Sequence, residues 1–369
     1  MGRITKWHSN KVVGKPPKGC KQCSLGGKLV LFITGTCDSN CFYCPLTKER
    51  REDVIFANEQ LVKTVQEAVE EAKMISALGM GITGGEPTLT LDRTTSFLTT
   101  FKEEFGENFH THLYTSHSLS VNQLRQLKNA GLDELRFHPP RLNLSDEMKE
   151  SIINAKSLDW NVGMEIPVIP DQEEKIDQII NFAVQKNLDF INLNEFEITE
   201  ANIENLAKKG YRTKSDISAA VEGSESLAYG LLKKHKKAPI TIHYCSSKYK
   251  DNIQLRNRLL RRAKNYAKSF DEITDEGLIV RGRIIVETIT SIKEISNSLR
   301  ENYDVDIELI EIDESNLTIY THWQIAQEIG PILCKENENK IDSIQIIHQY
   351  PYSDGIITFL EPIYEKSMI

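Results

Sequence analysis

The sequence predicts an α/β chain, a β/α barrel or partial barrel followed by a small α+β domain of ferredoxin-like order. Three observations carry this. Over the first 245 residues short apolar strands alternate with amphipathic helices, and the strand faces that would point inward are polar or small. Beyond about residue 271 the order becomes β-α-β-β-α-β. At 369 residues the chain has room for two domains.

The first strand, 29–34, runs into a cysteine-rich loop. Leu61, Val65, Ala68, Val69, Ala72 and Ile75 then recur mostly at steps of three and four, which predicts a helix over 61–75. Strands follow at 80–83, 110–116, 134–138, 162–168 and 189–194, with a seventh at 240–245, and helices such as 176–184 separate them. Repeated strand-helix units wind into a parallel sheet. Residues 199–270 read as mostly helical. After them come strand 278–287, helix 289–301, strands 305–312 and 316–321, helix 323–334, strand 342–349 and a closing strand at 355–360. Four segments result: an N-terminal extension over 1–27, a core barrel over 28–200, a basic helical region over 201–270 that completes the barrel, and a C-terminal domain over 271–369.

Side chains alternate across a strand, so the two faces can be compared. Leu135 and Phe137 oppose Glu134, Arg136 and His138; Met164, Ile166 and Val168 oppose Gly163 and Glu165; Ile191 and Leu193 oppose Asn192 and Asn194. Branched apolar residues normally fill a barrel interior, so a polar inner face predicts a solvated or ligand-filled lumen.

With 40% hydrophobic and 27% charged residues, composition excludes a disordered chain. No run approaches the roughly 18 apolar residues of a spanning helix, and the N-terminus lacks an apolar signal core, which predicts a cytoplasmic protein. The net charge of −8 hides an asymmetry: −7 over 1–204, +12 over 205–270 and −13 over 271–369. The basic stretch 248–268, with Arg256, Arg258, Arg261, Arg262 and Lys264, suits RNA or another polyanion, and a solvated helix face is the alternative.

Seven cysteines, an odd number, argue for metal or redox chemistry over a disulfide framework. Cys37, Cys41 and Cys44 form C-x3-C-x2-C within TGTCDSNCFYCPL. Three soft thiolates within eight residues select an iron–sulfur cluster or zinc, and zinc would need a fourth ligand that Asp38, Asn40 and Phe42 do not supply well. Cys20 and Cys23 form a C-x2-C pair, while His243 and Cys245 share a face of the seventh strand. Together they would make a Cys3His zinc site tying the extension to the barrel, with a second cluster or unligated thiols as alternatives. Cys334, in a helix beside Ile332 and Leu333, reads as core, and so do His110, His112 and His117 on or beside the third strand.

The cysteine loop directly after the first strand, with Tyr43 before its last cysteine, and Gly84-Gly85-Glu86-Pro87 directly after the second strand resemble the radical S-adenosylmethionine (SAM) enzymes. The similarity covers roughly residues 28–200 and is nearest to the branch related to pyruvate formate-lyase activating enzymes. It implies that Cys37, Cys41 and Cys44 ligate three irons of a 4Fe-4S cluster. SAM would chelate the fourth, and an external electron donor would drive its cleavage to methionine and a 5'-deoxyadenosyl radical. The glycines would admit the SAM amino group, with Glu86 and Pro87 setting the turn. Thr115 and Ser116 would lie at the ribose, and Arg136, His138 and Glu165 would hold carboxylate and ribose. Asn192 and Asn194 would serve SAM or substrate. A structural Arg136–Glu165 ion pair is the competing reading of that pair. RNA is the substrate that the basic region suits. Glycyl-radical protein activation, small-metabolite chemistry and a non-catalytic, metal-stabilised RNA-binding protein are the alternatives.

Overall fold

The computed structural model describes residues 3–366, so the outermost residues of the 1–27 and 271–369 segments lie outside it. Two compact units divide the chain, Met1–Leu255 and Arg256–Ile369. No helix among the described residues is long and apolar enough to cross a membrane.

The first unit contains strands β1 (Ile4–Trp7), β2 (Asn10–Val13), β3 (Lys28–Phe32), β4 (Ile55–Ala57), β5 (Gln60–Val62), β6 (Gly79–Thr83), β7 (His110–Thr115), β8 (Glu134–Phe137), β9 (Asn161–Val168), β10 (Phe190–Glu195), β11 (Thr213–Ser215), β12 (Ser218–Val221) and β13 (Thr241–Cys245). Its helices are α1 (Lys18–Ser24), α2 (Val65–Met74), α3 (Leu91–Phe105), α4 (Val121–Asn129), α5 (Asp146–Ser157), α6 (Glu173–Gln185), α7 (Ile203–Lys208), α8 (Ser224–Lys234) and the single turn α9 (Ser247–Tyr249). Seven parallel strands in the order β3-β6-β7-β8-β9-β10-β13 form the expected partial barrel, flanked by β4 and β5 beside β3 and by β2 and β1 beside β13.

The outer faces of these strands carry Leu31, Ile82, Leu113, Leu135, Met164 and Ile191, all fully buried in one apolar core. That core drives the winding. The inner faces stay polar, as the alternation predicted. Helix α1 lies against them: a Cβ at Gly19 would stand 2.6 Å from Arg136 Nη2 and 2.9 Å from His112 Nδ1, so only glycine lets the helix approach this closely.

Three local expectations differ from the structure, the first being the strand expected over 305–312, which begins only at Ile310 because a turn capped by Asp306 occupies Ile307–Leu309. The helix expected over 61–75 starts at Val65, because the Thr64 hydroxyl accepts from Glu67 N and caps it there, leaving Leu61 in a strand. The region expected to be mostly helical over 199–270 also contains the β11–β12 hairpin, whose strands pair antiparallel.

The second unit contains α10 (Arg256–Tyr266), β14 (Glu272–Ile273), β15 (Ile279–Val286), α11 (Ile289–Glu301), β16 (Ile310–Asp313), β17 (Thr318–Thr321), α12 (Trp323–Glu336), β18 (Ile341–Gln349) and β19 (Ile357–Glu365). The sheet order β16-β17-β15-β18 is antiparallel throughout and is the ferredoxin-like arrangement, with β19 added outside β18. Helices α11 and α12 bury Ile292, Ile295, Leu333 and Cys334 against Ile284 and Ile344, so Cys334 is a core residue as expected.

Candidate functional site

The cysteine loop leaves β3 at Ile33 and closes on itself where Gly35 N donates to Glu52 O over 2.9 Å. Its base is tied by Asp53, which accepts from Thr34 Oγ1 at 2.8 Å and from Arg93 Nη1 and Nη2 at 2.6 and 2.8 Å. That hydrogen bonding pulls the Asp53 carboxyl down to about 2. The tip is held on separate sides. His117 Nε2 meets Asp38 Oδ1 at 2.8 Å, Ser39 Oγ meets Ser116 Oγ at 3.1 Å, and Arg141 Nη2 donates to Asn40 O at 3.0 Å. Tyr43, buried just before the last cysteine, accepts from Arg141 N at 3.0 Å and meets His138 Nε2 at 3.1 Å, while Asn202 Nδ2 donates to Tyr43 O at 3.1 Å.

None of these ties uses a sulfur atom. Cys37 Sγ accepts from Ser39 N at 3.4 Å, and burial raises its thiol in spite of that contact. The loop is therefore held by protein groups other than its thiols.

The glycine motif docks directly on this loop. Gly85 N donates to Thr34 O at 2.7 Å and Glu86 N to Thr36 O at 2.8 Å. A Cβ at Gly85 would stand 2.3 Å from Thr36 O and 2.5 Å from Gly35 O, so the close approach that requires glycine is to the cysteine loop itself. The Glu86 side chain is fully buried, Pro87 opens the following turn, and the carboxylate accepts five hydrogen bonds. Oε1 takes Thr88 N at 3.0 Å, Thr88 Oγ1 at 2.6 Å and Thr115 Oγ1 at 2.9 Å. Oε2 takes Ser116 N at 2.6 Å and Ser116 Oγ at 2.7 Å. Glu86 thus anchors the ends of β6 and β7 to one another.

Deeper in the lumen Arg136 joins two carboxylates, with Nε on Glu134 Oε1 at 2.7 Å and Nη1 on Glu165 Oε2 at 2.8 Å, and Nη1 also reaches Tyr114 Oη at 3.0 Å. Asn192 and Asn194 each donate to Glu165 at 2.9 Å. Burial alone would raise the Glu165 carboxyl, but Arg136 and the two amides outweigh it and hold the group below its usual range. The ion pair set against cofactor binding in the sequence is present.

A cavity of about 840 Å³ connects these parts. Cys37, Cys41 and Cys44 line it with Gly84 and Gly85, and its wall continues past Thr115, Ser116 and His138 to Glu165 and Asn194 and down to Cys23 and Lys28. Arg136 and Asn192 stand behind this wall. The volume is in the range of small-molecule sites. Three thiols facing one cavity form the soft donor set that suits an iron–sulfur cluster. Among the described residues no three His, Cys, Asp or Glu side chains converge tightly enough for a single metal ion.

The Cys3His zinc expectation finds no support at its histidine. His243 Nδ1 faces Asn192 Oδ1 and Nε2 faces Asn10 Nδ2, both at 3.3 Å, so both ring nitrogens are engaged, and burial lowers the imidazole to about 4. Composition also overstated the basic stretch. Lys250 pairs with Glu197 at 2.7 Å, Arg262 is buried with Nε on Pro351 O at 2.5 Å, and Arg256 Nε donates to Asp275 O at 2.7 Å. His117, Asp38 and Arg141 were missed as loop-holding residues. For Arg141 the one available signal was its place after Pro139-Pro140, in a turn where it adopts φ 54°.

The chain is similar to several known proteins. The Radical SAM superfamily model matches residues 31–183. A Methanocaldococcus jannaschii protein provisionally named as a glycyl-radical enzyme activating enzyme is 45% identical over 363 residues, covering 96% of this chain and 94% of that one. Biotin synthase of Pseudoalteromonas translucida is 29% identical over 134 residues, 35% of this chain and 36% of its own. Among solved structures, Streptococcus suis SuiB bound to precursor peptide SuiA aligns at TM-score 0.44 and 16% identity over 69% of this chain and 58% of that one.

Proposed function

The chain belongs to the radical SAM superfamily, and we propose that Cys37, Cys41 and Cys44 hold a 4Fe-4S cluster at which SAM is cleaved reductively. When bound, cluster and SAM together supply a 5'-deoxyadenosyl radical that removes a hydrogen atom from substrate, with the electron coming from an external donor. The protein's part is positional. Asp38–His117 and Arg141–Asn40 fix the loop that presents the thiols, and Gly84-Gly85 brings backbone to the cavity beside them. Glu86 locks the β6 and β7 ends at which SAM would lie, and Glu165 with Asn194 offers polar groups deeper in the cavity.

We propose a protein glycine as the substrate. The observation that carries this is the 45% identity to the M. jannaschii protein along almost the whole of both chains. Loss of one Cα hydrogen atom to the 5'-deoxyadenosyl radical leaves a glycyl radical on the partner and 5'-deoxyadenosine as product. RNA is the weaker reading, because Lys250, Arg256 and Arg262 are engaged internally. The test is electron paramagnetic resonance of a glycyl-radical enzyme from the source cell, incubated with the reduced, reconstituted chain and SAM. A glycyl doublet that depends on Cys41 is expected. Turnover stimulated by small RNA with no doublet on any such protein would overturn the substrate assignment.

A further inference from the structure

Besides Cys334 in the core of the second unit, three thiols remain unused by this chemistry, and the fold gathers them in the lumen. Cys20 and Cys23 stand three residues apart on α1, and Cys245 ends the inner face of β13. Cys20 Sγ lies 3.5 Å from Asn192 Nδ2 and 3.9 Å from Arg136 Nη2. Cys245 is in register with Asn194 on the neighbouring strand. Each of Cys20 and Cys245 lies close enough to Cys23 to feel its charge, and Cys245 feels Cys20 as well. Packing does not call for this, since barrel interiors fill with branched apolar chains.

Three cations stand nearby, of which Arg136 and Lys250 already pair with carboxylates. Arg136 is beside Cys20, Lys28 beside Cys23 and Lys250 beside Cys245. Lys28 is the clearest case. It is buried, and among the described residues its ammonium meets Met80 O, His110 O and His110 Nδ1. Burial lowers it to about 7, with Cys23 foremost among the groups opposing that shift. Metal coordination deprotonates a thiol outright and would set a counter-charge beside Lys28.

The donor set favours a cluster over a single ion. One zinc ion would draw every sulfur to about 2.3 Å from a single centre. No such convergence exists among the described residues, and His243 is engaged elsewhere. A cluster binds each thiolate at a different iron and so accepts a wider triangle, as it must at Cys37, Cys41 and Cys44. We propose that Cys20, Cys23 and Cys245 hold a second iron–sulfur cluster inside the barrel. Because Cys23 lines the same cavity as the loop cysteines, both centres would face one chamber.

The test is the full chain with Cys37, Cys41 and Cys44 all changed to Ala, reconstituted anaerobically with iron and sulfide. Wild type should carry about eight irons and this variant about four, with a reduced-cluster paramagnetic signal that disappears when Cys23→Ser and Cys245→Ser are added. A variant that keeps the wild-type circular dichroism but holds no iron, or holds zinc instead, overturns the proposal. Should the loop variant not fold, the chain with Cys20→Ser, Cys23→Ser and Cys245→Ser must fall from about eight irons to about four, and an unchanged iron content is equally fatal. Failure of the loop-cluster reading looks different, because the loop variant would then match wild type in iron.

Discussion

Glu86→Gln separates an anchoring role from a ligand-binding one. The carboxylate is fully buried and accepts from two backbone N–H groups, Thr88 at 3.0 Å and Ser116 at 2.6 Å, one on each oxygen. An amide can be turned either way, but its NH2 must then face one of those N–H donors. The Oε2 side is the cheaper place for it, because the Ser116 hydroxyl can rotate from donor to acceptor while Ser116 N cannot. One hydrogen bond to a charged group is lost, worth about 1.5–3 kcal/mol, and one backbone N–H is left unsatisfied at about 1–3 kcal/mol. Allowing for overlap between the two terms, the substitution costs about 3 kcal/mol. In urea, where m is of order 1–3 kcal/mol/M, the midpoint should fall by about 1 M or more. The assay is urea unfolding of the metal-free chain followed by far-UV circular dichroism. A variant within about 0.5 kcal/mol of wild type that nevertheless fails to bind SAM would refute the anchoring argument and make Glu86 a direct ligand.

Burial, with help from the Lys28 charge, lowers the His110 imidazole to about 2. Between that value and the ordinary 6.5 the unfolded chain binds the extra proton, so His110 costs stability progressively as pH falls below about 6.5, at up to about 1.4 kcal/mol per pH unit. His110→Asn should flatten that limb in denaturation curves taken between pH 7 and 4, and an unchanged slope would show that His110 is protonated in the fold. Arg141→Ala removes the 3.0 Å bond to Asn40 O, worth about 1 kcal/mol, so a bound cluster should bleach near 400 nm under chelator about fivefold faster. Equal rates would show that the tie is unimportant. Cys41→Ala should remove the loop cluster's share, about half, of that absorbance with no change in the circular dichroism, and retention of iron at wild-type level would remove it from the ligand set.

The legible parts of this molecule were the ones in which neighbours in sequence act together. The cysteine spacing, the glycine motif and the period-two strand faces are local, and the lumen network of Arg136, Glu165, Asn192 and Asn194 lies on the faces that alternation assigned. The order β-α-β-β-α-β was readable for the same reason, because each element carries its own period. Choices among distant partners were not readable. His243 and Cys245 do share a face, yet the imidazole is taken by Asn10 and Asn192, residues 233 and 51 positions away. Thr115 and Ser116 lie where expected, but they serve Glu86, a partner 29 and 30 positions distant. Net charge is a coarse guide for a related reason, since composition counts Arg262 without seeing that it is buried.

The central claim is that the Cys37 loop and the cavity beside it carry out reductive cleavage of SAM. The most direct measurement is 5'-deoxyadenosine formed by the anaerobically reconstituted, dithionite-reduced chain, with Cys41→Ala alongside. The account predicts product from wild type above the enzyme-free background and none above it from the variant. A wild-type chain with its full iron content that binds SAM and forms no 5'-deoxyadenosine, with or without a glycyl-radical enzyme, would contradict it.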